Sequence, residues 1–168
     1  PVLLVINKWD LVTDKGANTA KQYETNIHER YLKELSFLPI LTISCLENQR
    51  VHKIMDKVEM LLEQYKNKVP TARLNECLRK SVDRHTPQLI SNHSKRVKFY
   101  FATQVRTAPP TFVIMCNVSD EVQESYKRYL LRQFQKDLGF PDVPIQLIFR
   151  GKKEAESRRS ARLLKDPE

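Results

Sequence analysis

Glycine is scarce in this sequence, since the 168 residues include only Gly16, Gly139 and Gly151. Their positions exclude a phosphate-cradling loop of the form GxxxxGKS or GxxxxGKT, and they equally exclude the GxxG loop with which KH domains clamp RNA. Without the first of these loops, the sequence offers no catalytic residue and no Mg²⁺ ligand. We therefore expect the chain alone neither to hydrolyse a nucleotide nor to bind one tightly.

Signals for membrane insertion, secretion and metal binding are missing as well. No apolar stretch approaches the ~20 residues of a membrane helix, and no signal core with a cleavage site is present. The three cysteines (Cys45, Cys77, Cys116) are widely spaced and odd in number, and no histidine is spaced with them as metal ligands are. We expect a folded cytoplasmic protein without membrane contact, whose thiols are small core residues.

Positive charge is abundant and unevenly spread. The formal net charge is +9. Residues 1–69 hold 10 basic against 9 acidic side chains, whereas residues 70–168 hold 19 against 11. This asymmetry favours a polyanionic partner for the second part of the chain.

The first part of the chain alternates strand and helix patterns. The β-branched run Val2–Ile6 is typical of a strand buried on both faces, and the chain begins inside it, so we expect a fragment of a longer polypeptide. Apolar residues spaced by three and four from Ala20 to Leu35 predict a crossover helix with a buried stripe. A second strand, Ile40–Ser44, precedes another amphipathic helix, 51–65. This order predicts an α/β fold with parallel strands.

The second part has a different rhythm, which predicts an α+β domain of order α-β-β-α-β with a three-stranded sheet. The domain boundaries follow from composition: residues 1–66 form the α/β part, 67–71 a linker, 72–150 the α+β domain and 151–168 a basic tail that we expect to be disordered. Ser119 or Asp120 is expected to cap the long helix, and Gly139 is placed to end it. The predicted helices and strands are 72–84, 97–105, 111–118, 120–138 and 145–149.

The tetrapeptide Asn7-Lys8-Trp9-Asp10 directly follows the first strand. Asp10 can accept two hydrogen bonds from the ring N–H and exocyclic amino group of guanine, a bidentate pair that adenine cannot offer. Asn7 suits the opposite base edge and the neighbouring loops, and the Lys8 stem can lie over the purine. The position, at the carboxyl end of a strand, is where open α/β sheets bind ligands. We therefore predict a guanine-reading site.

A second base-reading segment is predicted where the next strand ends, at Ser44-Cys45-Leu46. GTP-binding proteins carry a Ser-Ala-Lys or Ser-Ala-Leu turn at this position, and a backbone N–H of that turn contacts the guanine oxygen. Two such segments at the tips of successive strands are far more specific than either alone.

Together these segments resemble the Der (EngA) family of bacterial ribosome-assembly GTPases, which have two tandem G domains and a KH-like domain. The resemblance rests on NKWDL, ISCL, APPTFVIMCN and SDEVQESYKRYLLRQFQKDLGFPDVPIQLIFR. It implies that residues 1–66 end the second, P-loop GTPase domain and that residues 72–150 are the KH-like domain. Cys45 replaces the usual Ala, and ENQR replaces a glycine-containing loop.

The same resemblance implies ligands and partners. In the intact protein these are GTP or GDP with magnesium, the large ribosomal subunit with its ribosomal RNA, and upstream G domains of the same polypeptide. The implied process is ribosome biogenesis, in large-subunit assembly. Two alternatives stay open: a stand-alone RNA-binding module, or a KH-like domain that docks on a G domain and regulates it, which the absent GxxG favours.

Basic and aromatic residues of the second part have two interpretations each. The basic residues are either the solvated faces of amphipathic helices or contacts to ribosomal RNA phosphates. The neighbouring Phe99, Tyr100 and Phe101 could stack on bases, but strand alternation favours a core location. The basic groups are Arg73, Lys80 and Arg84; Arg128, Arg132 and Lys136; Lys95, Arg96 and Lys98; and Arg158, Arg159 and Arg162.

Overall fold

The computed structural model describes residues 1–13, 15–31, 35, 37–87, 89 and 96–151. The chain divides into two compact units, Pro1–Tyr65 with Pro141–Pro144, and Lys66–Phe140 with Ile145–Glu168. No helix among the described residues is both long and apolar enough to cross a membrane. The expectations for Lys95 and for the tail, including Arg158, Arg159 and Arg162, lie outside the described residues.

The first unit contains a two-stranded parallel sheet with helices after each strand. Leu4 pairs with Ile40 and Ile6 with Thr42, so both strands end at the same edge of the sheet. The parallel pairing and the alternating order confirm the predicted α/β fold. Its elements are β1 (Leu4–Ile6), a 3₁₀ turn (Trp9–Leu11), α1 (Thr19–Tyr31), β2 (Ile40–Thr42) and α2 (Lys53–Lys66).

The predicted burial of β1 and α1 is wrong. Val5 of β1 is 37% exposed, and no residue of α1 is buried; Tyr23 and Tyr31 are exposed, as is Leu35 beyond the helix. The physical reason is that β1 pairs with β2 alone among the described strands, and a two-stranded sheet is too small to cover a helix stripe and both of its own faces. Apolar spacing thus predicted the elements but not what covers them.

The second unit has the predicted order α-β-β-α-β. Strands β3 and β4 are antiparallel, β4 and β5 are parallel, and the sheet order is β3-β4-β5. The predicted α+β class with a three-stranded sheet is confirmed. Its elements are α3 (Thr71–Arg84), β3 (Phe99–Arg106), β4 (Thr111–Cys116), α4 (Glu124–Leu138) and β5 (Gln146–Gly151).

The core of this unit lies between one face of the sheet and the two helices. Phe112 of β4 makes edge-to-face contacts with Phe134 at 5.9 Å and Phe140 at 5.8 Å between ring centroids. All three rings are fully buried, as are Leu74 of α3 and Leu130 of α4. Each such side chain contributes ~1.5–3 kcal/mol of burial free energy, so this cluster holds the helices on the sheet.

Side chains cover the outer edge of β3. The Asn75 amide accepts a hydrogen bond from the Ala102 N–H at 2.8 Å and donates to the Ala102 oxygen at 3.0 Å. Gln104 in turn accepts from the Val69 N–H at 2.8 Å and donates to the Asn67 oxygen at 3.0 Å. These amides replace a neighbouring strand and protect the edge from pairing with another chain. The segment after α2 is thereby tied to the sheet of the second unit.

Aromatic residues at the start of β3 depart from the expected core location. Phe99 does pack inward, stacked on Tyr126 at 5.6 Å, whereas Tyr100 is 54% and Phe101 50% exposed. The register shifts between Phe99 and Phe101, so that Tyr100 is an extra residue in the strand. Such a bulge breaks the strict alternation on which the core expectation depended.

The two ends of α4 differ in how well they were predicted. Neither Ser119 nor Asp120 is the N-cap, because the Ser119 carbonyl accepts the Val122 N–H in a turn, and the helix begins only after Gln123. Gly139 has the predicted role: its φ is 89°, and its N–H donates to the Gln135 oxygen. The C-terminal cap is therefore a left-handed glycine.

Replacing Gly139 by Ala is expected to destabilise the second unit by about 1–2 kcal/mol, because an L-residue at this φ is strained. The matched control is Gly16→Ala, where the φ is not left-handed and the added methyl meets only the Thr19 hydroxyl at 3.7 Å. Chemical unfolding followed by circular dichroism measures both. Equal midpoints for Gly139→Ala and the unmodified chain would contradict the cap assignment.

Candidate functional site

Pairing of β1 with β2 brings the two predicted base-reading segments together. The Ile43 N–H donates to the Ile6 oxygen at 2.8 Å, and the Trp9 N–H donates to the Ile43 oxygen at 2.9 Å. The ladder thus continues past the ends of both strands. The loop of Asn7 and the turn at Ser44 consequently leave the same edge of the sheet side by side.

The Asn7 side chain joins these two loops. Its Oδ1 accepts a hydrogen bond from the Lys8 N–H at 2.7 Å and another from the Cys45 N–H at 3.1 Å. Lys8 adopts a left-handed backbone conformation, with φ 62° and ψ 36°, which costs a non-glycine residue of order 1 kcal/mol or more. The bond from Lys8 to Asn7 stabilises this conformation and leaves the Lys8 side chain exposed.

Ser44 positions Asp10. The buried Ser44 hydroxyl donates to Asp10 Oδ1 at 2.5 Å and accepts the Glu47 N–H at 3.2 Å. Ser44 also exchanges two backbone hydrogen bonds with Gln49, so the hydroxyl has little freedom to move. The Ser44 hydrogen bond lowers the pKa of the Asp10 carboxyl below its ordinary value, with smaller lowerings from a bond to its own backbone N–H and from the charges of Lys15 and Lys8. Asp10 is therefore held as an oriented carboxylate.

The buried side chain of Trp9 fixes the loop that carries Asn7 and Asp10. It is 4% exposed, meets Tyr23 of α1 edge to face at 5.3 Å, and has the Arg50 guanidinium 5.6 Å from its ring centroid. Sequence reasoning missed this contact, and the signal available was that Trp9 is the single tryptophan of the chain. Arg50 ends the segment that stands in place of a glycine-containing loop. Asn48 and Arg50 supply its left-handed conformations, with φ of 51° and 58°.

The groups left open by these contacts define what the site can bind. The Asn7 amide nitrogen and the N–H of Leu46 have no hydrogen-bond partner among the described residues, and Leu46 is 86% exposed. The Asp10 carboxylate accepts from Ser44 and from its own backbone N–H and has lone pairs left over. The Cys45 N–H, by contrast, is engaged by Asn7, so the backbone donor for a ligand oxygen is that of Leu46. Because Asp10 Oδ1 keeps a lone pair beside the bond from Ser44, both carboxylate oxygens can accept from a ligand. This acceptor pair beside a backbone donor suits the edge of a base with adjacent N–H donors and a carbonyl.

These groups do not fit a metal ion. Asp10 is the one carboxylate they include, and Mg²⁺ is typically bound by one or two carboxylates together with phosphates and waters. Across the described ranges, no three His, Cys, Asp or Glu side chains come together as a metal site. This part of the chain is suited to a base rather than to Mg²⁺.

The basic stripe of α3 is largely engaged within the protein. Lys80 forms an ion pair with Glu76 at 2.8 Å, Arg84 contacts Asp137 at 3.4 Å, and Arg73 donates to the Asp137 carbonyl at 2.9 Å. Three cations thus share a groove with two carboxylates. The groove is a poor candidate for a polyanion.

The basic stripe of α4 differs from it. Arg128, Arg132 and Lys136 are exposed, and neither a hydrogen bond nor an ion pair joins them to the described part of the chain. Glu124, four residues before Arg128, forms its ion pair with Lys127 at 2.7 Å. This stripe is the stronger candidate for phosphate contact.

Comparison with known proteins gives a consistent set of relatives. Residues 68–150 match the family described as KH-domain-like of EngA bacterial GTPase enzymes, C-terminal. The GTPase Der of Rippkaea orientalis is 43% identical over 95% of this chain and 35% of its own length, and that of Geobacter metallireducens is 40% identical over 92% and 34%. The chain thus spans about a third of the length of these curated relatives.

A solved structure of Era in complex with MgGDPNP and nucleotides 1506–1542 of 16S ribosomal RNA matches more distantly. It is 17% identical, covers 96% of this chain and 59% of the Era chain, and has a TM-score of 0.29. This likeness is too slight to bear on function.

Replacing Ser44 by Ala is expected to raise the pKa of Asp10 toward its ordinary value, because the hydrogen bond to the carboxylate is lost. Since the folded pKa is depressed, the carboxylate stabilises the fold above the unfolded pKa, and that contribution disappears as the pH falls through the folded value. The stability of Ser44→Ala should therefore fall less on acidification than that of the unmodified chain. Carboxyl ¹³C NMR titration measures the pKa, with Ser125→Ala on α4 as control; an unchanged Asp10 titration in Ser44→Ala would refute the assignment.

Proposed function

The chain belongs to the GTPase Der (EngA) family, and from this premise we propose that it supplies guanine recognition and a KH-like, ribosome-facing domain to a GTPase acting in ribosome biogenesis. In this proposal residues 1–66 end the second G domain, 67–71 link the domains and 72–150 form the KH-like domain. The observation that carries it is the Asp10 carboxylate, held by Ser44 beside the loops that Asn7 joins.

Guanine complements the open groups of this site. Its ring N–H and exocyclic amino group donate to the Asp10 carboxylate, its carbonyl oxygen accepts from the Leu46 N–H, and the Lys8 stem covers the ring. Asn7 and Cys45 fix the distance between the two loops. An adenine would leave the carboxylate unpaired, which costs ~1–3 kcal/mol or more.

Phosphate and Mg²⁺ contacts belong, in this proposal, to parts of the intact protein outside this chain. GTP hydrolysis depends on a phosphate-binding loop and Mg²⁺, and the three glycines here form no such loop. The intact protein is accordingly a cytoplasmic GTPase that binds GTP or GDP with magnesium. This chain determines which base is accepted.

The second unit is proposed to face ribosomal RNA of the large subunit. Support comes from the basic excess after residue 69 and from Arg128, Arg132 and Lys136, whose charges are not neutralised by partners in the described residues. Without a GxxG clamp, these contacts go to phosphates and discriminate little between sequences.

A second candidate is that the KH-like unit docks on an upstream G domain of the same polypeptide and regulates it. The missing GxxG loop favours it. In that case the α4 stripe faces protein, and RNA affinity does not depend on it.

Replacing Asp10 by Asn in the intact GTPase is expected to redirect its preference from guanine to xanthine, because a carboxamide donates to the carbonyl that replaces the guanine amino group. The loss for GTP should be at least ~1–3 kcal/mol. Calorimetric titration with GDP and xanthosine diphosphate measures the switch. Asp56→Asn, at an exposed position of α2, is the control, and unchanged GDP affinity in Asp10→Asn would remove Asp10 as the base reader.

Reversing Arg128, Arg132 and Lys136 to Glu should weaken binding of this chain to structured ribosomal RNA and flatten its salt dependence. Each lost phosphate contact reduces the log-log slope by roughly 0.7 to 0.9. Reversal of Lys53, Lys57 and Lys66 on α2 is the control with an equal change of charge. If RNA binding survives in the α4 variant while docking onto an upstream G domain is lost, the regulatory candidate replaces the RNA-facing one.

A further inference from the structure

The sheet of the second unit has one face that neither of its helices covers. Strand register assigns nine residues to it in three rows, which alternate with the rows packed against α3 and α4. The rows join β3, β4 and β5 in that order. They are Phe101, Met115 and Arg150; Thr103, Val113 and Ile148; and Arg106, Thr111 and Gln146.

This face, the open face, carries exposed apolar side chains. Phe101 is 50% and Ile148 39% exposed, whereas Val113 and Thr111 of the central strand are only 2% and 5% exposed. The bulge at Tyr100 separates the aromatic pair: Phe99 stays in the core on Tyr126, and Phe101 falls on the open face opposite Met115. The open face therefore holds one large aromatic ring that takes no part in the described aromatic clusters of the core.

The charge on the open face has one sign. Arg106 and Arg150 occupy opposite corners of the three rows, and the nine positions include no Asp or Glu. Next to Arg106 lies a cleft of about 480 Å³, lined by Lys68, Thr103, Val105 and Thr107 among others, and again without a carboxylate. Arg106, Arg150 and Lys68 form no ion pair among the described residues, in contrast to the cations of the α3 groove.

We propose that the open face binds an unpaired segment of RNA, with a base stacked on Phe101 and with phosphates contacted by Arg150 and by Arg106 and Lys68 at the cleft. This inference rests on the proposed RNA-facing function and assigns it a second surface. An aromatic ring can stack on any base, because every base has a π-face. The cations at the border of the open face attract the phosphates of a single strand.

RNA fits this surface better than a protein partner does. The corner cations Arg106 and Arg150, and Lys68 at the cleft, have no carboxylate among the nine positions or in the cleft lining. The surface therefore complements the charge of a polyanionic backbone. The open face and the α4 stripe also belong to opposite sides of the sheet, since α4 packs on the other face through Phe112 and Phe134. Paired and unpaired regions of one RNA can therefore be contacted independently.

The test compares Phe101→Leu, which keeps an apolar side chain but removes the ring, with Phe101→Tyr, which keeps the ring. Tyr100→Leu is the matched control, because Tyr100 is equally exposed and adjacent but lies outside the three rows. The probes are a short single-stranded RNA carrying one 2-aminopurine and a duplex of the same sequence. Circular dichroism and the unfolding midpoint establish that each variant is folded.

Phe101→Leu should bind the single strand roughly 5- to 100-fold more weakly and lose the quenching of 2-aminopurine. Its salt dependence and its duplex affinity should be unchanged, since phosphate contacts are kept. Phe101→Tyr and Tyr100→Leu should match the unmodified chain.

Equal single-strand binding by Phe101→Leu and the unmodified chain overturns the inference, and so does protection of the open face by a G domain in the intact protein. If the unmodified chain binds neither probe, the RNA-facing function itself fails. If the unmodified chain binds RNA, and the reversal of Arg128, Arg132 and Lys136 weakens this binding while Phe101→Leu does not, the proposed function stands and only the open face is excluded.

Discussion

The candidate site of the first unit depends on the parallel ladder between β1 and β2. The bonds from Ile43 to Ile6 and from Trp9 to Ile43 extend that ladder beyond the strands, and only this extension brings Asn7 within reach of the Cys45 N–H and Asp10 within reach of Ser44. A slip of one residue in the register would turn every side chain to the opposite face. The hydrogen bonds of the site therefore depend on the pairing of the strands.

Scarcity of glycine shapes the loops of this site. Lys8, Asn48 and Arg50 hold left-handed conformations that glycine adopts without strain. Their cost is offset locally, by the bond from Lys8 to Asn7 and by the guanidinium of Arg50 on Trp9. Because residues with side chains lose less backbone entropy on folding than glycine does, the loop over the site is more preorganised than a glycine-containing loop would be, and its geometry depends on those two contacts.

The sequence predicted what local chemistry determines. The order of strands and helices, the left-handed Gly139 and the two loops at the ends of successive strands all follow from patterns of a few residues, whereas the bonds from Cys45 to Asn7 and from Ser44 to Asp10 were seen only in the structure. Three features needed tertiary information: the stripe of α1 stays exposed because the described strands offer no surface to cover it, the turn at Ser119 delays the start of α4, and the bulge at Tyr100 moves Phe101 out of the core. The Trp9–Arg50 contact likewise joins residues that no local pattern relates.

A KH domain with a GxxG loop holds the RNA backbone and reads bases at one place, because the glycines let phosphates approach the backbone closely. The second unit has no such loop, and its cations fall into two kinds. Those of α3 are matched by Glu76 and Asp137, so a phosphate there would have to displace carboxylates, even though each exposed pair is worth only ~0–1 kcal/mol. Those of α4 and of the open face form no ion pair with a carboxylate in the described part of the chain. In the two proposals, phosphate contact and base stacking are divided between two sides of one sheet, so that the affinity for RNA is spread over a surface rather than concentrated in a clamp.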